Sequence, residues 1–534
     1  MPARLHPGVY VEEVPSGARA IEGVGTSTTI FVGEAERGPL EATKIKSVAD
    51  YERAFGNYRR AGIASAPRCL LRHAMDAFFA NGGTTAYILR VMENGATPTY
   101  GTRVDLNNAA RLRASSPGAW STGLAVCFGD SSDNEPAHFR IHVVYTTPGA
   151  AAAQVVESFD RLSFDPAAEN FVVDVLNRSL FLRWDPAFAP PPPATLVQRD
   201  LAGINPQSTD VIANAAALGG GTGGAGTSAV NDYGPTLFSR LDEVTDASLL
   251  VVVPPEEAID DSAGADTMLQ DIETTALAYA ANRPRLDLFA IVDMPRAGSA
   301  ADPTSATNAT VTSFKSAYPD KSDFGAVYFP WVEVSDPIGL GRDPKIVLPP
   351  AAFVAGLYAR TDQRRGVWKA PAGLEATLLG TRRIEFKLLD THQDELNPLG
   401  VNALRPMAQG GNVVWGARTM KPATEWRYIP VRRTAIFLRG SIYNGIQWAV
   451  FEPNDQQLWQ NLKLTIGAFM DQLFRQGAFA GRTAREAFFV KCDEETTPEA
   501  DQVAGIVNVW VGFAPLRPAE FVVVQLRQMV NQRA

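Results

Sequence analysis

Residues 28–33 read Thr-Thr-Ile-Phe-Val-Gly, and residues 85–91 read Thr-Ala-Tyr-Ile-Leu-Arg-Val. Each is a short β-branched or aromatic run bounded by breakers, the pattern of a strand. Two helical stretches lie between them, 48–55 and 67–79. In the second, Leu70, Leu71, Ala74, Ala77 and Phe78 recur at helical spacing, and Asn81-Gly82-Gly83 stops it. The strand–helix–helix–strand order then breaks off. It resumes far downstream with a strand over 248–253, a helix over 268–281, and strands over 286–292 and 325–332. The economical reading is one α/β domain in two parts, 25–98 and 231–350, interrupted by residues 99–230.

The interruption is rich in predicted strands (124–128, 139–145 and 171–175) separated by polar turns, and is expected to be a small sandwich or barrel on the outer surface. It closes with linker-like sequence, four prolines at 190–193 and a glycine tract at 219–226. Beyond Pro349-Pro350 a final block, 351–514, opens with a helix over 351–360. It carries a longer helix over 454–475 and a strand whose Val507, Val509, Val511 and Phe513 share one face. The fold class expected is α+β and multidomain, with an interrupted α/β domain, an inserted β-sandwich-like domain and a C-terminal α+β domain.

Two terminal segments stand apart. Residues 1–24 read as an arm: Val9, Tyr10, Val11 and Glu12 sit in a short β-prone run between Pro7-Gly8 and Pro15. Residues 515–534 form a second arm, with Phe521, Val522, Val523 and Val524 continuous. A lone terminal strand must find backbone partners in a sheet elsewhere, so both arms are candidates for strand addition between molecules.

Composition narrows the function. The chain has 534 residues, 46% hydrophobic and 20% charged, which excludes a disordered or fibrous protein. With 49 Lys+Arg against 58 Asp+Glu its net charge is −9, against a dedicated nucleic-acid binder. Three scattered cysteines give neither a zinc ribbon nor a disulfide framework and suit a reducing cytosol. The first residues lack a signal-peptide core, and no apolar run reaches a membrane span.

Enzyme motifs are weak. The tract at 219–228 has Thr227 where a phosphate loop needs lysine. His138 and His142 lie four apart in a predicted strand, about 13 Å, too far for one metal ion. Asp493-Glu494-Glu495 reads as a solvated loop, and no G-x-S-x-G elbow occurs. Neither a cofactor nor a metal is expected. One charge asymmetry remains: Arg418, Lys421, Arg427, Arg432, Arg433 and Arg439 face only Glu425 between positions 415 and 440, a candidate basic surface for an acidic partner.

Several motifs in order resemble one family. They are Pro7-Gly8-Val9-Tyr10-Val11-Glu12-Glu13 and Arg37-Gly38-Pro39 near the start, then Ser116-Pro117-Gly118-Ala119-Trp120 at the opening of the insertion. Val354-Ala355-Gly356-Leu357-Tyr358-Ala359-Arg360-Thr361-Asp362 and Gly366-Val367-Trp368-Lys369 follow, then Val414-Trp415-Gly416-Ala417-Arg418 and Pro518-Ala519-Glu520-Phe521. The chain resembles contractile tail sheath proteins. That resemblance implies a structural subunit, not an enzyme, which assembles with itself in stacked hexameric rings as a helical polymer. Its other implied partners are an inner tube protein, the baseplate and a tail-terminator or cap protein, with no direct contact to nucleic acid or membrane. It implies that the C-terminal domain lies innermost, which would turn the basic residues toward the tube, and that the arms add strands to neighbours. Assembly would take place in the bacterial cytoplasm, as part of a phage tail or of an injection particle or bacteriocin released from the cell. The alternative from another class is a multidomain cytosolic enzyme with its catalytic core in the α/β domain.

Overall fold

The computed structural model describes residues 20–59, 68–92, 99–105, 110–133, 135, 137–190, 208–220, 230–259, 265–296, 321–340 and 342–521. Helices and strands are mixed, in several sheets. The chain divides into two compact units, one of residues 25–365 with 370–432, the other of 1–24, 366–369 and 433–534.

The first unit is built on an eight-stranded sheet. Its order is Gly411–Val414, Val401–Met407, Gly325–Phe329, Phe289–Asp293, Leu249–Val252, Thr29–Glu34, Ala86–Val91 and Thr43–Ile45. The six inner strands are parallel and each end is closed by an antiparallel strand. Strands covered on both faces should be apolar throughout, and every residue of Thr29–Glu34, Leu249–Val252 and Phe289–Asp293 is buried. The helices Leu70–Ala80 and Ala351–Arg365 pack closely against each other. Gly356 makes that possible, because a Cβ there would strike the Phe78 carbonyl oxygen and the Asn81 side chain.

The expected boundary at 350 falls inside this unit. Val401–Met407 extends the sheet by pairing with Gly325–Phe329, so the chain through Arg432 belongs with the α/β part. The run 325–332 is also two strands rather than one. Pro330 supplies no N–H, and after it Val332–Ser335 joins a separate three-stranded sheet with Lys345–Leu348 and Arg383–Ile384.

In the insertion, a four-stranded antiparallel sheet (Leu124–Asp130, Phe139–Tyr145, Gln154–Leu162, Ala216–Ala217) and a three-stranded one (Thr102–Asp105, Ala110–Ala114, Leu182–Trp184) share one apolar core. Trp120, Phe139, Phe164 and Trp184 fill it. The expected strand at 171–175 is a short helix, Val172–Leu176. Its two end residues, four apart, both enter the core, so burial on one helical face overrides the β-propensity of three valines.

The helix Leu70–Ala80 carries His73, 4% exposed, against the Tyr58 ring at 4.8 Å and near Asp336, Asp76, Arg68 and Arg72. Burial lowers its pKa to about 4 in spite of the two carboxylates. The neutral imidazole is therefore the folded form. Its contribution is complete above the unfolded value of about 6.5 and is lost as pH falls toward 4, a change on the order of 3 kcal/mol. Urea unfolding at pH 7 and pH 4.5 should show this loss, and His73→Gln should flatten it. An unchanged slope in that variant would assign the acid sensitivity to other groups.

Candidate assembly site

The second unit contains a sheet of only two strands, Phe488–Lys491 paired antiparallel with Trp510–Phe513. Alternation sorts its side chains. Phe488, Val490, Val511 and Phe513 pack on a core of Phe469, Phe479 and Leu473, while Phe489 and Trp510 stay 56% and 54% exposed on the outer face. Two strands alone are marginal in water, and among the described residues neither outer edge pairs further along its length. The chain reaches this unit's core at Ile21, which is 6% exposed and packed against Gly445. Next to it the Val24 N–H donates to Ser441 Oγ at 3.0 Å. A recess of about 420 Å³ lies beside this anchor, lined by Ile21, Phe437, Phe469 and Leu473. Val9, Tyr10, Val11, Glu12, Val522, Val523 and Val524 lie outside the described residues, and Phe521, the last one described, is 75% exposed.

The basic residues between 415 and 440 do not form one surface. Arg418 is buried, its backbone N–H on Asn402 Oδ1 at 2.8 Å and its guanidinium on the Asn397 carbonyl at 2.9 Å. Arg432 lies between the rings of Phe324 (3.6 Å) and Trp426 (4.7 Å), with its Nε 3.3 Å from Asp323. Arg433 is 4% exposed. Lys421, Arg427 and Arg439 are exposed. The division between the units falls between Arg432 and Arg433, within the helix Ile429–Gly445. A count of charges along the sequence could not separate these cases, because a guanidinium stacked on rings and paired with a carboxylate is as basic in the sequence as a solvated one.

The place where an open α/β sheet holds a ligand is the crevice at the carboxyl ends of its strands, where strand order reverses. Here that point lies between Thr29–Glu34 and Leu249–Val252, and the chain fills it. Cys69 Sγ donates to the Glu34 carbonyl (3.2 Å) and Tyr233 Oη to the Val253 carbonyl (3.3 Å), while Arg68 ties Glu256 and Asp336 together at 2.9 and 2.8 Å. Asp293, deeper in the fold, is held well above the usual carboxylate range by burial; its Oδ1 accepts the Ala351 N–H at 2.8 Å and so caps a helix start. Asp493 caps its own turn, accepting from the N–H groups of Glu495 and Thr496. His138 contacts Asp133 and His142 contacts Ser158, each at 2.7 Å. Of the glycine tract, Gly219 exchanges backbone hydrogen bonds with Thr102 and the part from 221 lies outside the described residues. No helix among the described residues is long and apolar enough to cross a membrane.

The crevice is occupied by the chain's own side chains, and among the described residues the two-stranded sheet pairs with no third strand. Comparison with known proteins supplies the rest. The family model described as the phage tail sheath protein central domain matches residues 261–420, and the phage tail sheath C-terminal domain matches 421–528, together half of the chain. The tail sheath protein of Vibrio phage KVP40 is 31% identical over 153 residues, 28% of this chain and 22% of that protein. A prophage major tail sheath protein of Pseudomonas aeruginosa (strain UCBPP-PA14) is 29% identical over 176 residues, 32% of this chain. The chain thus spans less than half the length of these curated relatives, 44% in the second case. Among solved structures, the PVC sheath complex of an extracellular contractile injection system, in its contracted state, aligns over 100% of both chains with TM-score 0.55 and 23% identity. The helical sheath of the anti-feeding prophage, also contracted, aligns over 98% of this chain and 100% of its own, with TM-score 0.55 and 24% identity. The chain belongs to the phage tail sheath family, a family of structural tail proteins and not of enzymes.

Proposed function

We propose that this chain is the sheath subunit of a contractile tail. It polymerises as stacked hexameric rings around an inner tube on a baseplate, under a cap or terminator, and shortens to drive the tube through a target envelope. The observation that carries the reading is the two-stranded sheet of Phe488–Lys491 and Trp510–Phe513, which pairs with no third strand among the described residues, in a chain whose arms at 1–24 and 515–534 are β-prone in sequence. An arm that enters a neighbour's sheet makes a heterologous contact, and such contacts build a helix when the rotation does not close. Val9–Glu12 and Phe521–Val524 are the donating segments. Exposed Lys421 and Arg427 are the charges offered to an acidic tube, and the insertion faces outward.

The test is negative-stain microscopy of the full chain expressed with its tube protein. Striated tubes are expected, and dispersed globules under every condition would count against the reading. Contacts from exposed charges are each worth about 0–1 kcal/mol and are screened beyond roughly 10 Å at 0.1 M salt, so the number of sheathed tubes should fall as salt is raised.

A further inference from the structure

Two motifs singled out in the sequence, Arg37-Gly38-Pro39 and Ser116-Pro117-Gly118-Ala119-Trp120, stand about 80 residues apart and meet in space. They do so beyond the carboxyl end of the Thr29–Glu34 strand, where the insertion joins the α/β sheet. The Gly38 N–H donates to Ser116 Oγ at 3.0 Å, and buried Arg90 donates from Nη1 to the carbonyls of both Gly38 (2.9 Å) and Pro117 (3.2 Å). Tyr145, from an insertion strand, donates its hydroxyl to Glu36 Oε1, while Glu36 Oε2 accepts the Asn57 N–H at 2.7 Å. Arg37 closes the joint. Its guanidinium donates to the carbonyls of Glu52, Arg53 and Ala54 at the end of the helix Val48–Phe55 and lies 4.3 Å from the ring centre of Phe181 in the insertion. Phe181 packs with Tyr145 and Trp120, whose Nε1 donates to the Ser116 carbonyl at 3.1 Å. Gly38, at φ +112°, has no room for a side chain: a Cβ would sit 2.8 Å from the Ala54 carbonyl oxygen.

We infer that this joint is a rigid socket: it fixes the inserted domain to the sheet in one orientation, so that the two move as one body. A domain on a flexible tether would bury little at its root and leave relative motion as the default. Here two arginines and a glutamate are buried at the root with partners from both sides, and a buried charge is costly wherever those partners separate. Beyond the carboxyl end of the Thr29–Glu34 strand, side chains of the α/β part thus hold a domain. The inference stands on this chain's own contacts and holds whether or not the protein forms a sleeve.

Spin-label distances test it. The three native cysteines are buried, so labels at Thr274→Cys in the α/β part and Asn177→Cys in the insertion, both exposed, report selectively. Labelled chain is diluted with unlabelled chain so that only distances within one molecule are read. A single narrow distribution is expected, broadened in Phe181→Ala and in Arg37→Leu while amide exchange in the Leu249–Val252 and Phe289–Asp293 strands stays protected. A broad distribution in the parent chain overturns the inference, as does an unchanged narrow one in a folded Phe181→Ala Arg37→Leu double variant. Should those variants lose sheet protection, the width in the parent chain and in the milder Ser116→Ala decides: narrow in the parent and broader in Ser116→Ala supports the socket, broad in the parent or equal in both rejects it.

Discussion

Removing residues 1–18 is expected to leave a folded protein that forms no ordered tubes. The unit that holds the two-stranded sheet reaches its own core at Ile21, and the Val24 N–H is satisfied by Ser441, so a truncation that stops short of Ala20 keeps this anchor. What it removes is the proposed donor run around Val9, Tyr10, Val11 and Glu12. Each backbone hydrogen bond made on a neighbour's sheet is worth about 1 kcal/mol net. A strand supplies several, and every subunit in the polymer repeats them. Loss of one arm per subunit therefore removes several kcal/mol from each contact, enough to shift assembly by orders of magnitude at a fixed concentration. Circular dichroism and thermal unfolding check the fold, and electron microscopy with tube protein checks assembly. A truncated chain that no longer folds would place the arm within its own molecule's core. Normal striated tubes would remove it from the assembly altogether.

The parts of the fold legible in the sequence are those where one face or both of an element are uniformly buried. Residues 28–33, 85–91 and 248–253 read as strands because a sheet covered on both sides favours runs of apolar, β-branched residues, and the helix at 70–80 shows its apolar stripe. The interruption was legible because a strand pattern stopped and resumed. Pairing was not. That Val401–Met407 joins Gly325–Phe329 depends on contacts between residues more than 70 positions apart, and local pattern carries no such information. The helix Val172–Leu176 was missed because three valines in six residues favour a strand, and only the shared core, which takes in Val172 and Leu176 together, selects the helix. At the candidate site the two-stranded sheet was legible in part: Val511 and Phe513 do share an inward face. The joint was visible only as two separate motifs, because nothing in Arg37 or Ser116 alone announces that they meet. The basic cluster was the least legible of all, since sequence gives charge without burial.

Arg432→Glu should therefore act through the fold, with an effect far larger than reversal of the exposed charges nearby. The Arg432 side chain is 13% exposed, Asp323 is 18% exposed, and the guanidinium is stacked on Phe324 and Trp426. Reversal places two carboxylates about where an ion pair stood and removes the cation from both rings. Breaking a buried pair costs about 3–5 kcal/mol, and each ring contact adds about 0.5–2 kcal/mol. A sizeable part of a domain's stability, about 5–15 kcal/mol, would be lost. Lys421→Glu and Arg427→Glu touch no such core, and each should change stability by about 0.5 kcal/mol or less. Urea unfolding of the three variants separates the cases, and co-assembly with tube protein at low salt completes the test. If Lys421→Glu with Arg427→Glu assembles as the parent does, those two side chains do not contact the tube. If Arg432→Glu unfolds with the parent's midpoint, the Phe324–Arg432–Trp426 stack does not hold this part of the structure together. The expected pattern is the opposite in both respects: the exposed pair governs assembly and leaves stability alone, while Arg432 governs stability.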